Sequence, residues 1–90
     1  MSFKNKVAIV TGAGQGIGYA ICRSLAAEGT HVILNDVDQK LADHAARHII
    51  EETGGSCISM SGDSGDTSFI QKMVDAAVSS FGRLDIVIAN

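Results

Sequence analysis

Val7-Ala8-Ile9-Val10-Thr11-Gly12-Ala13-Gly14-Gln15-Gly16-Ile17-Gly18 decides how this chain of 90 residues is read. An apolar run enters a glycine turn, and the turn opens an amphipathic segment. A strand that feeds a helix through glycines leaves the first helical N–H groups unpaired and aimed outward. The positive end of the helix dipole lies at the same place, so the mouth of the turn favours an anion such as phosphate. Each glycine there permits either a positive φ or a main-chain approach that a Cβ would block.

The spacing is G-x-x-x-G-x-G. The G-x-G-x-x-G pattern fails in both registers: from Gly12 it meets Ile17 where a third glycine is required, and from Gly14 it meets Tyr19. A triphosphate loop ends in Gly-Lys-Ser/Thr, whereas Gly18 is followed by Tyr19 and Ala20. No lysine is left for the phosphates, which argues against nucleotide triphosphate hydrolysis. A glycine-rich strand-to-helix turn also serves as a plain tight connection in α/β proteins, so the turn alone leaves both readings open.

A second clue comes from His31-Val32-Ile33-Leu34-Asn35-Asp36, an apolar run that ends in a carboxylate 18 residues beyond Gly18. In a βαβ dinucleotide unit, an acid at the tip of the second strand accepts hydrogen bonds from the adenosine ribose hydroxyls. Asp36 is the candidate; Asp38 fits better as a helix N-terminal residue. A 2′-phosphate at about 4 Å from Asp36 would be repelled by roughly 4 kcal/mol at an effective dielectric near 20. Neither Gln15 nor Val37 is basic, and the turn holds no Arg or Lys to offset that repulsion. The expected cofactor is therefore NAD rather than NADP.

Together these residues resemble the short-chain dehydrogenase/reductase family, whose members carry T-G-x-x-x-G-I-G, an acidic strand tip, an aspartate loop and then L-D-I-x-V-x-N-A-G. Thr11 to Gly18 matches the first motif letter for letter, Asp63 matches the aspartate loop, and Leu84-Asp85-Ile86-Val87-Ile88-Ala89-Asn90 matches the last. The resemblance implies cofactor-binding roles for Gly12, Gln15, Gly16, Ile17 and Gly18 along the pyrophosphate and adenosine side. It implies that Asp63 and Ser64 hold the adenine and that Asn90 ends a strand beside the nicotinamide-side ribose. Ser64-Gly65 departs from the family, which carries a hydrophobic residue after the aspartate. The resemblance further implies a homo-oligomeric oxidoreductase acting on a small alcohol or ketone.

No catalytic residue is assigned within these 90 residues. The family's catalytic serine and Tyr-x-x-x-Lys helix lie beyond Asn90, and the single tyrosine, Tyr19, is followed four residues on by Arg23. Hydride transfer at a carbonyl carbon needs a positioned proton donor or acceptor at the oxygen. Residues 1–90 are thus read as one segment, the N-terminal dinucleotide-binding half of a larger domain, truncated after its fourth strand. The length is below the usual domain mode of about 100–150 residues, which agrees with that reading. An alternative is a non-catalytic binding or interaction module.

Composition excludes other classes. With 46% hydrophobic residues, 19% charged residues and ten glycines the chain is not read as disordered. A net charge of −3 and the lack of a basic cluster argue against nucleic acid. Phe3 and Lys4 precede the first strand directly, leaving no room for a signal segment, and no apolar run approaches membrane-spanning length, so the expected location is cytoplasmic. Cys22 and Cys57 are not spaced for a redox pair and read as buried, reduced, small hydrophobes. His44 and His48 share a helix face but bracket Ala45-Ala46-Arg47 with no third ligand, so no metal is assigned.

Hydrophobic periodicity predicts strands over Lys6–Thr11, His31–Asp36, Ser56–Ser61 and Asp85–Ala89, alternating with helices over Gly16–Glu28, Gln39–Thr53 and Thr67–Phe81. Ile17, Ala20, Ile21 and Leu25 are placed inward on the first helix. Leu41, Ala42, Ala45 and Ile49 take that role on the second, and Ile70, Met73, Val74, Ala77 and Val78 on the third. Alternation implies right-handed crossovers and an α/β, three-layer parallel sheet, Rossmann-like but partial, with strand order 3-2-1-4 by resemblance. The fourth strand becomes an open apolar edge, from which marginal stability or aggregation of the isolated chain is expected.

Overall fold

The structure, a computed structural model, describes residues 3–90. Its elements are β1 (Val7–Val10), α1 (Gly16–Ala27), β2 (His31–Asp36), α2 (Gln39–Thr53), β3 (Ser56–Ser61), α3 (Thr67–Phe81) and β4 (Ile86–Ile88). All four strands are parallel in the order β3-β2-β1-β4, with Val10 opposite both Leu34 and Ile88, and Asp36 opposite Ser61. Side chains of a strand alternate between faces. Val10, Val32 and Leu34 accordingly pack under α1 and α2, whereas Val7, Ile9 and Ile33 pack under α3. The result is the three-layer arrangement read from the sequence.

Local chemistry sets the helix ends. The Asp38 carboxylate accepts the Leu41 N–H at 3.0 Å, and Asp66 accepts the Ser68 N–H at 2.9 Å, so each satisfies a donor at its helix N-terminus. Helices α2 and α3 stop at Gly54 and Gly82, both with positive φ, a conformation that costs glycine nothing. Helix α1 ends at Ala27, one residue earlier than periodicity suggests, because Glu28 is already its C-cap. Strands β1 and β4 are also shorter than expected, β1 losing Lys6 and Thr11. Asp85 and Ala89 fall outside β4, and Asp85 instead turns its carboxylate back onto the Val7 N–H at 2.9 Å.

Two helix faces differ from the periodic reading. On α1 the buried stripe is Gly18, Cys22 and Ala26, while Ile17 is 74% exposed and Ala20 is also exposed. Small residues at i, i+4 and i+8 let the helix axis approach the sheet closely. Tyr19 and Arg23 take the flank that meets α2, leaving Ile17 on the opposite flank. On α3 only Met73 and Ala77 are fully buried, and Ile70 and Val78 are exposed. Helix α3 covers its sheet face alone, so its flanking apolar residues meet no neighbouring helix. The second helix buries Ala42, Ala45 and Ile49 as read, with Ala46 joining them, whereas Leu41 is only half-buried and lines a groove against α1.

Both cysteines are free and buried, and burial pushes each thiol up to about 12. A thiolate is the reactive form. Alkylation by maleimide in mildly alkaline buffer should therefore be slow in the folded chain and fast after denaturation. Rapid labelling of folded protein would contradict this packing.

Asp85 ties the start of β4 to the start of the neighbouring β1. The Arg83 guanidinium donates to both of its carboxylate oxygens, and with the Val7 N–H holds the carboxyl below its ordinary value of 3.8. A group depressed in the folded state contributes stability above its unfolded pKa and loses it as pH falls through the folded one. Asp85→Asn should therefore lower stability at neutral pH, and the gap from the parent should close as acid protonates Asp85 in the parent. A gap that stays constant with pH, in melts followed by circular dichroism, would show that the carboxylate's charge is immaterial.

Candidate functional site

The carboxyl ends of the strands carry three loops that the fold brings together. In the first, Gly12 and Gly16 have φ of 58° and 66°, the left-handed region, and Gln15 between them is extended. Gln15 is the α1 N-cap but makes no side-chain cap, and the first turn of α1 contains no acidic residue. A Cβ on Gly16 would point into open space, whereas one on Gly18 would lie 2.8 Å from the Gly12 carbonyl and 2.9 Å from Ala13 Cα. Gly16 is thus required by its dihedral and Gly18 by close approach.

The second loop is the tip of β2. Asp36 is half-buried; its Oδ2 accepts the Gly14 N–H at 3.0 Å and its Oδ1 accepts the Asp38 N–H at 3.1 Å. One carboxylate therefore braces the glycine turn and keeps lone pairs in reserve, since each oxygen accepts more than one bond. Val37 beside it is 75% exposed.

In the third loop, after β3, Asp63 is exposed and its Oδ1 accepts the Gly65 N–H at 2.8 Å, forming a local turn. Ser64 does not share that exposed side. It is half-buried in an apolar cleft of about 160 Å³ together with Ile9, Met73 and Val87. Asn90 lies against the first loop. Its N–H donates to Thr11 Oγ1 at 3.1 Å, and its Nδ2 donates to the Gly12 carbonyl at 3.0 Å.

The structure therefore brings Gly12, Gly18 and Asn90 into one contact group and Gly14 with Asp36 into another. Gln15 and Gly16 line a largely apolar groove of about 350 Å³ with Tyr19, Leu41 and His44, between α1 and α2. Ile17 stands at the helix mouth, exposed, outside both contact groups. Two residues escaped the sequence reading. Thr11 receives Asn90, and Asn35, buried beneath the β2 tip, donates to the Met60 carbonyl in β3 and to the Gly62 carbonyl of the third loop. A lone amide closing the apolar run 31–34 was the available signal for Asn35.

Titratable groups nearby are occupied structurally. Tyr19 Oη lies 3.4 Å from His48 Nδ1, and burial followed by the Glu52 charge raises its pKa above 10.0. A proton-transferring tyrosine needs the opposite shift, toward the working pH. Glu52 is lowered chiefly by its 2.8 Å bond from Arg23 Nε, and it also faces His48 Nδ1 at 3.2 Å. Among the described residues, no three His, Cys, Asp or Glu side chains are grouped as metal ligands, and no helix is long and apolar enough to cross a membrane.

These features define a class: a parallel α/β unit with an uncapped helix N-terminus at the point where the chain crosses from the β1–β3 side to β4, the usual ligand position in open sheets. The chain belongs to the short-chain dehydrogenase family, whose model matches residues 6–90. It is 42% identical over 85 residues to a versicolorin reductase from Emericella nidulans, covering 94% of this chain and 32% of that protein. L-sorbose reductase from Gluconobacter frateurii, solved with NADPH and L-sorbose, superposes with a TM-score of 0.90 at 33% identity, covering 97% of this chain and 33% of that one. A xylitol dehydrogenase bound to NAD+ gives a TM-score of 0.87 at 33% identity over the same shares. The chain thus spans about a third of the length of the relatives it matches, corresponding to their N-terminal portion.

Proposed function

We propose that residues 1–90 form the NAD(H)-binding half of an oxidoreductase that moves hydride between nicotinamide and an alcohol or carbonyl substrate. One observation carries the reading: an uncapped α1 N-terminus, opened by positive-φ Gly12 and Gly16, faces a turn braced by the Asp36 carboxylate. Open space at the Gly16 Cβ position and the absence of a first-turn acid suit a pyrophosphate. When bound, the dinucleotide supplies the hydride-carrying carbon. This chain's residues bind and orient it: the glycine-turn amides hold phosphate, Asp36 accepts ribose hydroxyls, Asp63 and Ser64 border the adenine, and Asn90 stands toward the nicotinamide end.

Relatives solved with NADPH and with NAD+ share this architecture, so the choice falls to local charge. Asp36 beside non-basic Gln15 and Val37 favours NAD. No Tyr-x-x-x-Lys occurs in the 90 residues, and Tyr19 is tuned the wrong way for proton transfer, so proton transfer falls to residues outside this segment. The whole enzyme is taken to be homo-oligomeric, as its resemblance implies.

Fluorescence titration with NADH and NADPH tests the proposal, with amide shifts mapped by NMR. NADH should perturb Gly12–Gly18 and Asp36 and bind at least about tenfold, or 1.4 kcal/mol, tighter than NADPH. Shifts confined to other residues, or equal affinities, would overturn it. The pure 90-residue chain should show no turnover with NADH and a panel of ketones; measurable turnover would place the acid–base group within it.

A further inference from the structure

Asn35 is a polar side chain where the strand pattern calls for an apolar one. It is 2% exposed, and an unpaired amide so placed would be costly. It is paired twice. Its Nδ2 donates to the Met60 carbonyl at 3.0 Å and to the Gly62 carbonyl at 3.2 Å, at the exit of β3. Its own main-chain carbonyl accepts the Ala13 N–H at 2.7 Å, and the neighbouring Asp36 carbonyl accepts the Gly62 N–H at 3.0 Å. One residue thus touches the glycine turn through its backbone and the Gly62–Asp66 loop through its side chain, with the Asp36 tip next in sequence. The ladder fixes this register, since Asn35 pairs with Met60 and Asp36 with Ser61.

The geometry points to Asn35 as a positioning residue: its side-chain amide fixes the loop bearing Asp63 and Ser64 relative to the phosphate turn and so sets the seat of the adenosine end of the ligand. This rests on the dinucleotide reading above. The two bonds from Nδ2 reach Met60 near the end of β3 and Gly62 at the start of the third loop, and neither reaches the glycine turn. Their loss should therefore release that loop while leaving the Gly12–Gly18 turn, which Asn90 and Asp36 hold independently, in place.

The test compares AMP, which needs both loops, with inorganic pyrophosphate, which needs only the turn. Asn35→Leu keeps the side-chain shape and removes both donors; Asn35→Ser restores one. With the fold confirmed by far-ultraviolet circular dichroism, Asn35→Leu should weaken AMP by about tenfold or more while pyrophosphate stays within about twofold, and Asn35→Ser should recover part of the loss. Equal weakening of both probes, or of neither, would overturn the positioning role and leave the dinucleotide reading standing. If Asn35→Leu does not fold, NMR of the unaltered chain decides. AMP should shift the Asn35 side-chain amide signals and those of Gly62 to Ser64, and pyrophosphate should not; amide signals unmoved by AMP would overturn the role. An unaltered chain that binds neither probe would overturn the reading itself and this inference with it.

Discussion

Gly18→Ala is expected to lower the melting temperature and to remove most dinucleotide affinity in one step. The added methyl would lie 2.8 Å from both the Gly12 carbonyl oxygen and Asn90 Nδ2, and 2.9 Å from Ala13 Cα. Two of these neighbours are main chain, and the third is a side-chain end bonded to that same carbonyl. None yields cheaply, so either α1 lifts from the sheet or the turn opens. Overpacking of this kind costs about 1–3 kcal/mol. At roughly 4–8 °C per kcal/mol for a domain of this size, the melt should shift visibly. NADH affinity should fall by about a hundredfold, or 2.7 kcal/mol, because the cradle itself is displaced. Gly54→Ala serves as the comparison, since nothing lies within 4 Å of its Cβ position and only its φ of 69° opposes the change. That variant should lose stability and keep its affinity. A Gly18→Ala chain with unchanged melt and affinity would show that close approach at this point is not required.

The second large effect is expected at Asp36. Replacing it by alanine removes two acceptors at once: the brace on the Gly14 N–H and the oxygen facing Asp38 N–H. A donor left unpaired at a half-buried site costs about 1–3 kcal/mol, so NADH binding should weaken by about tenfold or more. NADPH should respond in the opposite sense, because removing a charge that repels its 2′-phosphate by up to about 4 kcal/mol relieves the main obstacle. The NADH-to-NADPH preference should therefore move toward NADPH by one to three powers of ten, roughly the range from 1.4 to 4.1 kcal/mol. Asp36→Asn separates the two causes. It keeps an acceptor for Gly14 while cancelling the charge, so it should shift preference with a smaller loss of NADH affinity. Parallel losses for both cofactors in both variants would assign Asp36 to structure alone.

Much of this architecture was legible in the amino-acid order. The seven elements, their alternation and the parallel 3-2-1-4 sheet follow from periodicity, glycine stops and the motif resemblance, and β2, α2, β3 and α3 fall on the expected residues. The failures share a cause. Periodicity ranks residues by hydrophobicity, but α1 is seated by the smallness of Gly18, Cys22 and Ala26, and so Ile17 and Ala20 were turned to the wrong side. Ile70 and Val78 were placed in a core that needs a second helix on the α3 face. In the candidate site, Asp36 and the glycines were singled out because a ligand reading needs those residue types at those offsets. Asn35 and Thr11 were missed because their work is done between loops distant in sequence, and no local pattern encodes a partner 25 or 79 residues away.

The Thr11–Asn90 bond spans a separation of 79 residues. Closing a segment of that length costs about 4 kcal/mol of chain entropy before any contact compensates for it. The glycine turn gains its contact with Asn90 only after β4 has found its place beside β1. During vectorial synthesis, a nascent chain that has made the glycine turn but not yet delivered Asn90 holds an unfinished receptor. On the dinucleotide reading proposed above, coenzyme capture would then report that β4 has arrived.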